Sequence, residues 1–360
     1  MEKFLGTEFI WFVGVVESRQ DPQYAGRLKV RALGHHTSNT IELPTNDLPW
    51  ASVVLPTTSS GISGLGQSPS FLVEGSWVWG YFRDGKFRQE PVVLGSLPGK
   101  PIELASSGGF YDPNGIYPKY KDEPDVNRLA VNLKVDGVET NPALSLTLRR
   151  ATRITSVTTS GFTEQSAADG STMAGSLATT WSQPEIPYNA NYPYNHVFES
   201  ESGHIQEFDD TPANERIHTR HRTGTSTEIE PDGTKVDIIK NDHYMLVSND
   251  SKSLVTGNKE VSIDGHSKIY INKAGGVDNH YDIQVGENAN INIQVDKGNI
   301  NLVTTQGKIN VNAGGDYNLK VGGNMNVVVE GNTSETIEGS KTSNTTGAVI
   351  HRGSTIDLNP

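Results

Sequence analysis

The chain has 360 residues, of which 34% are hydrophobic and 37 are glycine, and it carries a formal net charge of −12. That length holds two or three domains, since single cores rarely grow past about 250–300 residues, and no stretch approaches the roughly 18 apolar residues of a membrane span. The acidity argues against a sequence-independent nucleic-acid binder, which needs a basic groove, and the absence of cysteine excludes disulfides and thiolate metal sites.

Residues 1–104 read as short strands divided by turns. The opening MEKFLGTEFIWFVGVVES is interrupted by Glu8 and lacks a small-residue cleavage site, so it reads as a strand and not a signal peptide, with Gly14 as a bulge or kink. RLKVRAL alternates, with Leu28, Val30 and Ala32 on one face and Arg27, Lys29 and Arg31 on the other. PWASVVLP, GSWVWGYF and PVVLGSL supply further strands, and Asp84-Gly85 is a hairpin signal. About five short strands with no helical period predict a small barrel of OB type.

Residues 105–190 change character. GFYDPNGIYPKYKDEPDVN is rich in Pro, Gly and Asp and predicts an extended connector with fixed turns, and Arg149 to Trp181 is dominated by Ser, Thr and Gly, as a linker is. Residues 191–250 return to alternating strands and form a β-rich collar leading into the final segment, with turns at Asp209-Asp210-Thr211-Pro212 and Pro231-Asp232-Gly233.

Residues 251–360 carry an eight-residue repeat. Val255, Ile263 and Ile271 lie eight apart, as do Val295, Val303 and Val311, and again Val321, Val329 and Ile337. A glycine follows two places later at Gly257, Gly265, Gly323, Gly331 and Gly339. Each octad is one short strand plus a turn, and a strand with one apolar face cannot bury that face alone. Eight residues are too few for a full single-chain coil but suit one face of a triangular prism, so the stride predicts three chains wound into a β-helix. With strands about 4.8 Å apart, roughly twelve octads make a shaft on the order of 60 Å.

The motifs WFVGVVESRQDP, GRLKVRALGHH, LPWASVVLPTTSSG and EGSWVWGYFRDG resemble the N-terminal OB domain of the baseplate central spike proteins of contractile-tailed phages. GFYDPNGIYPKY and DEPDVNRLA resemble that family's connector, and PYNHVFESESGHIQEFDDTPANERIHTRHRTGTSTEIEPDGTKV its lead into the triple-stranded β-helix, a segment shared with type VI secretion spikes. The resemblance implies an all-β homotrimer in a phage tail baseplate, made in the host cytoplasm. It further implies a ring-shaped hub protein at the barrel, a small PAAR-type tip protein at the shaft end, and transient contact with the host outer membrane. Some members carry a lysozyme domain between barrel and shaft. Only about 85 residues, mostly connector and linker, lie between Lys100 and Pro187, which reads as a version without the hydrolase. The function expected is mechanical: puncture of the envelope as the sheath contracts. The alternatives are a spike of a type VI or extracellular injection system and a β-helical adhesin.

No catalytic, cofactor or metal residue is expected. Lysozyme-like chemistry needs a carboxyl of raised pKa facing a second across a cleft. Asp112, Asp122, Glu123, Asp125, Glu139, Glu164 and Asp169 sit among turns and read as solvated loop charges. His35, His36, His196, His204, His218, His221 and His351 read as surface or stacking residues, His218 and His221 being an odd distance apart on a strand. The glycines from Ser59 to Gly66 and GGVD at 275–278 lack the strand–loop–helix context of a phosphate site. Trp77, Trp79 and Tyr81, with Arg83, Lys86 and Arg88 nearby, share one strand face and read as barrel core or protein contact more simply than as a nucleic-acid platform. Asp264, Asp282, Glu287 and Asp296 lack the Gly-Gly-x-Gly-x-Asp pattern of calcium-binding repeats and read as solvated faces.

Overall fold

Alternation along the first strands decides which side chains point inward. In the computed structural model, β1 (Ile10–Ser18), β2 (Leu28–Ala32), β3 (Trp50–Val53), β4 (Trp77–Phe82) and β5 (Pro91–Ser96) close into a barrel in the order β1-β2-β3-β5-β4. The structure describes residues 9–104, 112–119, 121–132, 157–158, 165–166, 172–173, 180–184, 187–271 and 280–357. The pairings are antiparallel except β3–β5, which is parallel with Ser52 opposite Val92. Phe12, Val16, Leu28, Val30, Ala32, Ala51, Val78, Phe82 and Val93 fill the interior, none more than 3% exposed.

The interior is narrow, and two inward-facing positions have no room for a side chain. A Cβ on Gly80 would lie 2.0 Å from the Val92 carbonyl oxygen and 2.8 Å from Phe12 Cζ. One on Gly14 would meet the Arg31 carbonyl oxygen at 2.7 Å. Gly14 is not the expected bulge, because it pairs in register with Ala32 and with Val78, and the slip comes between Val16 and Ser18. Its role is close approach of neighbouring strands.

The charged face of β2 is covered, not solvated. Arg31 is fully buried, paired to Glu17 at 2.5 Å, and it donates to the carbonyls of Thr37 and Leu43 at 2.7 Å each. The Lys29 ammonium donates to the carbonyls of Asn46 and Leu48 at 2.8 and 2.5 Å, and Thr45 Oγ1 donates to Glu17 at 2.8 Å. The excursion between β2 and β3 is thereby strapped over the outside of the barrel. Buried charges persist only where their hydrogen bonds are met in this way.

The connector holds one helical turn, α1 (Arg128–Val131), capped by the Asn127 side chain, which accepts from the Leu129 N–H at 2.9 Å. Leu129 packs with Tyr188, Ala190 and Ile205. Within the stretch expected as a linker, two-residue strands pair: β6 (Val157–Thr158) with β9 (Thr180–Trp181), and β7 (Gln165–Ser166) with β8 (Thr172–Met173). The collar is a five-stranded antiparallel meander of β10 (Asn195–Glu199), β11 (Ile205–Asp209), β12 (Arg216–Arg220), β13 (Ser226–Ile229) and β14 (Lys235–Ile238).

Two units divide the chain: Met1–Val157 with Trp181–Val261, which holds barrel and collar, and Thr158–Thr180 with Ser262–Pro360. In the octad segment the described residues form neither helix nor strand within the single chain. Their large apolar side chains from Val255 to Ile356 are 42–89% exposed.

Candidate functional site: apolar assembly surfaces

The collar sheet is inverted relative to an ordinary half-buried sheet, which turns apolar residues inward and polar ones outward. Glu207, Arg216, His218 and Glu228, 1–4% exposed, lie on its covered face. Arg216 donates to Glu207 at 2.8 Å and to Glu228 at 3.0 Å, His218 Nδ1 lies 2.7 Å from Glu207, and Asn195 donates to Glu207 at 3.0 Å. Burial pushes the Glu207 carboxyl up, but His218, Arg216 and Asn195 outweigh it and hold the group below its ordinary range. The same chain caps this cluster. Tyr188 stacks beneath Arg216 at 5.1 Å and donates to the Leu129 carbonyl, as does Asn195.

On the opposite face, Phe208, Ile217 and Ile229 stand in one row across three strands, 47%, 45% and 37% exposed. His196 continues the row on β10 and Lys235 on β14. The octad side chains are a second such surface. Val255, Ile263, Ile271, Val295, Val321, Val329 and Ile337 are 45–53% exposed, and Val303 and Val311 are 82% and 70% exposed. Gly257, Gly265, Gly323, Gly331 and Gly339 fall where the expected turns lie, with open space around each.

A third surface lies outside the barrel. Trp77, Trp79 and Tyr81 do share a strand face, but it is the outer one, and Val78 and Phe82 enter the core instead. The barrel-core reading of these aromatics is therefore corrected, because inward positions on β4 fit only Val, Gly and Phe in so narrow an interior. Trp11 and Trp79 stack at 4.8 Å and 9°, and Phe9 joins Trp11 and Tyr81 at 5.7 and 5.5 Å. Trp11 and Trp79 nevertheless stay 46% and 42% exposed, so the stacked rings form an apolar ridge on the outside of the barrel.

Other expected positions resolve as follows. His218 is buried in the collar, not at the surface, whereas His221 lies in the turn beyond β12, its ring 4.5 Å from His204. Asp112 is 1% exposed, because its carboxylate takes the N–H groups of Asn114, Ile116 and Tyr117. It caps its own loop and is not a solvated charge. Glu123 pairs with Arg128, and Asp125 accepts from the Gly99 N–H at 2.7 Å. Asp264, Asp282, Glu287 and Asp296 are exposed. Glu139, Glu164, Asp169 and the 275–278 loop lie outside the described residues, and among the described residues no group of three or more His, Cys, Asp or Glu is placed to hold a metal.

The buried cluster and the Glu17–Arg31 pair escaped the sequence reading. Alternation in IQEFD separates Glu207 from Phe208 but does not say which face is covered.

The strapped five-strand barrel is of OB type, and residues 33–168 match the family model of the Gp5 N-terminal OB domain. That match starts after β2 and runs past the barrel into the connector. The chain is 38% identical over 292 residues to Protein Gp5 of Vibrio phage KVP40, covering 74% of this chain and 66% of that protein, just under two thirds of its length. It is 24% identical over 463 residues to the pre-baseplate central spike protein Gp5 of Enterobacteria phage T4, covering 73% of this chain and 80% of that protein. The chain is thus a homologue of phage proteins named Gp5, one of which is a pre-baseplate central spike protein. The second alignment runs over 463 positions but takes in only 73% of this chain's 360 residues, about 263, so about 200 of its positions stand opposite a gap here.

Proposed function

We propose that the chain is the central spike of a contractile phage baseplate, a homotrimer whose octads wind into a triple-stranded β-helix that pierces the host outer membrane. The observation that carries this reading is the octad segment of a Gp5 homologue, whose apolar side chains repeat every eight residues and stand 42–89% exposed on the single chain. Hydrophobic burial there requires other chains. In the wound shaft each strand is hydrogen-bonded to other chains above and below, so axial load is shared over many bonds.

The barrel ridge of Phe9, Trp11, Trp79 and Tyr81 is the surface we assign to the hub protein, since exposed Trp and Tyr are characteristic interface anchors. The shaft end takes a PAAR-type tip. We read the chain as a spike without the lysozyme domain of some relatives. Supporting this are the gapped alignment to the T4 protein and the engagement of Asp112, Glu123 and Asp125 in loop and helix contacts.

Light scattering on the purified chain, beside an unboiled detergent gel, tests the proposal. A mass three times 39.1 kDa with a detergent-resistant band is expected. A monomer overturns it.

A further inference from the structure

We infer that the collar is the registration element of the trimer: three copies of this chain meet first along the Phe208–Ile217–Ile229 row, and the shaft then winds from that point. The inference rests on the three-chain reading above and adds an order of assembly to it.

A repeat of eight is degenerate. Within each run of octads, sliding one chain by eight residues past its neighbours presents nearly the same apolar pattern, and only the breaks between Ile271 and Val295 and between Val311 and Val321 mark a register. Those breaks lie well down the shaft, whereas the collar, a non-repeating element, lies directly before the first octad and can fix the register from the start. It is also the part that can act early. All five of its strands pair with one another within one chain, so the sheet forms before any partner arrives. Hairpins between adjacent strands are fast, local contacts.

The inverted faces then say which side waits. The charged side is sealed by Leu129, Tyr188 and Asn195 of the same chain, leaving the apolar row outward. Polar neighbours on the same outward face, Gln206, Thr219, Thr227 and Asp237, flank that row, and Phe198, at the β10 end of theirs, is engaged by Phe71 of the barrel. Three side chains somewhat under half exposed offer on the order of 250 Å² per chain, below the roughly 800 Å² per partner of a stable interface. The first encounter is therefore reversible, which lets a misaligned set separate before the octads lock it.

The test refolds the full chain at several concentrations and follows trimer by light scattering and unboiled gel. Phe208→Ser/Ile217→Ser is expected to slow trimer formation at least tenfold while the amides of β10–β14 stay protected from exchange, because both residues are exposed in the folded collar. Val327→Ser, 69% exposed in the octads, is expected to assemble at the wild-type rate and yield a less detergent-resistant trimer. Register is read separately: the chain has no cysteine, so a spin label at Thr345→Cys reports one inter-chain distance in wild type and several in the collar variant. If the double variant loses collar protection, Ile229→Thr, a milder change in the same row, carries the same expectation. Wild-type assembly rates with a single distance in the collar variants, or an equal slowing by Val327→Ser, overturn the inference and leave the trimeric spike intact. A wild-type chain that stays at 39.1 kDa removes the three-chain reading itself.

Discussion

Arg19, just beyond β1, grips Glu201 in the β10–β11 turn with two hydrogen bonds of 2.6 and 2.9 Å, although 182 residues separate them. Arg19 also lies 3.2 Å from Glu74, and Phe71 of the barrel meets Phe198 of the collar edge-on at 4.8 Å. Barrel and collar are thus joined by a charged latch beside an aromatic contact. Arg19 and Glu201 are 35% and 46% exposed, so solvent screens the pair. Glu201→Gln is expected to cost no more than about 0.5 kcal/mol in global unfolding. Faster hydrogen exchange at the 200–204 turn is the more sensitive readout, and an unchanged exchange rate there refutes the latch.

Arg31 and Glu17 answer differently because neither sees water, at 0% and 1% side-chain exposure. Arg31→Met strands the Glu17 carboxylate and is expected to cost about 3–5 kcal/mol in urea unfolding of the barrel. Glu17→Leu/Arg31→Met regains part of that loss. The carbonyls of Thr37 and Leu43 remain without their donor, so limited proteolysis is expected to cut within the strap of the double variant and not in wild type.

Collar stability is expected to depend on pH through Glu207. Its pKa in the fold is lowered from an ordinary 4.5, despite burial, by His218, Arg216 and Asn195. A depressed folded pKa contributes stability that is fully present above the unfolded value and is lost as pH falls through the folded one. Circular dichroism during acid titration is expected to show collar unfolding steepening below about pH 4.5. Glu207→Gln flattens that limb and lowers neutral-pH stability by about 2–4 kcal/mol. A pH profile identical to wild type counts against the assignment.

Gly80→Ala tests the closure of the barrel. The added methyl meets the Val92 backbone at 2.0 Å, and backbone cannot move aside as a flexible side chain can. A loss of about 1–3 kcal/mol or more is expected from thermal melts, against little change for Gly95→Ala, which has open space.

Trp11→Ser/Trp79→Ser removes the outer stack without entering the core. The barrel melt is expected to shift by about 1 kcal/mol or less, while incorporation of the chain into baseplates falls at least tenfold. Normal incorporation places the hub contact elsewhere.

The barrel strands, the collar strands and the octad stride were legible in the sequence, because alternation with period two and repetition with period eight are properties of adjacent residues. Alternation set Leu28, Val30 and Ala32 against Lys29 and Arg31, and Glu207 against Phe208. What it left open was which face of each strand meets solvent, since that depends on segments far away in the chain. The 33–49 strap buries Arg31, and Tyr188 with Leu129 covers the charged side of the collar, so tertiary structure put charges inside and Phe208, Ile217 and Ile229 outside. It likewise turned Trp77 and Trp79 outward, because closing five strands left room only for Val78, Gly80 and Phe82. Periodicity is local and survives in one dimension; burial is a relation between distant residues, and only the folded chain decides it.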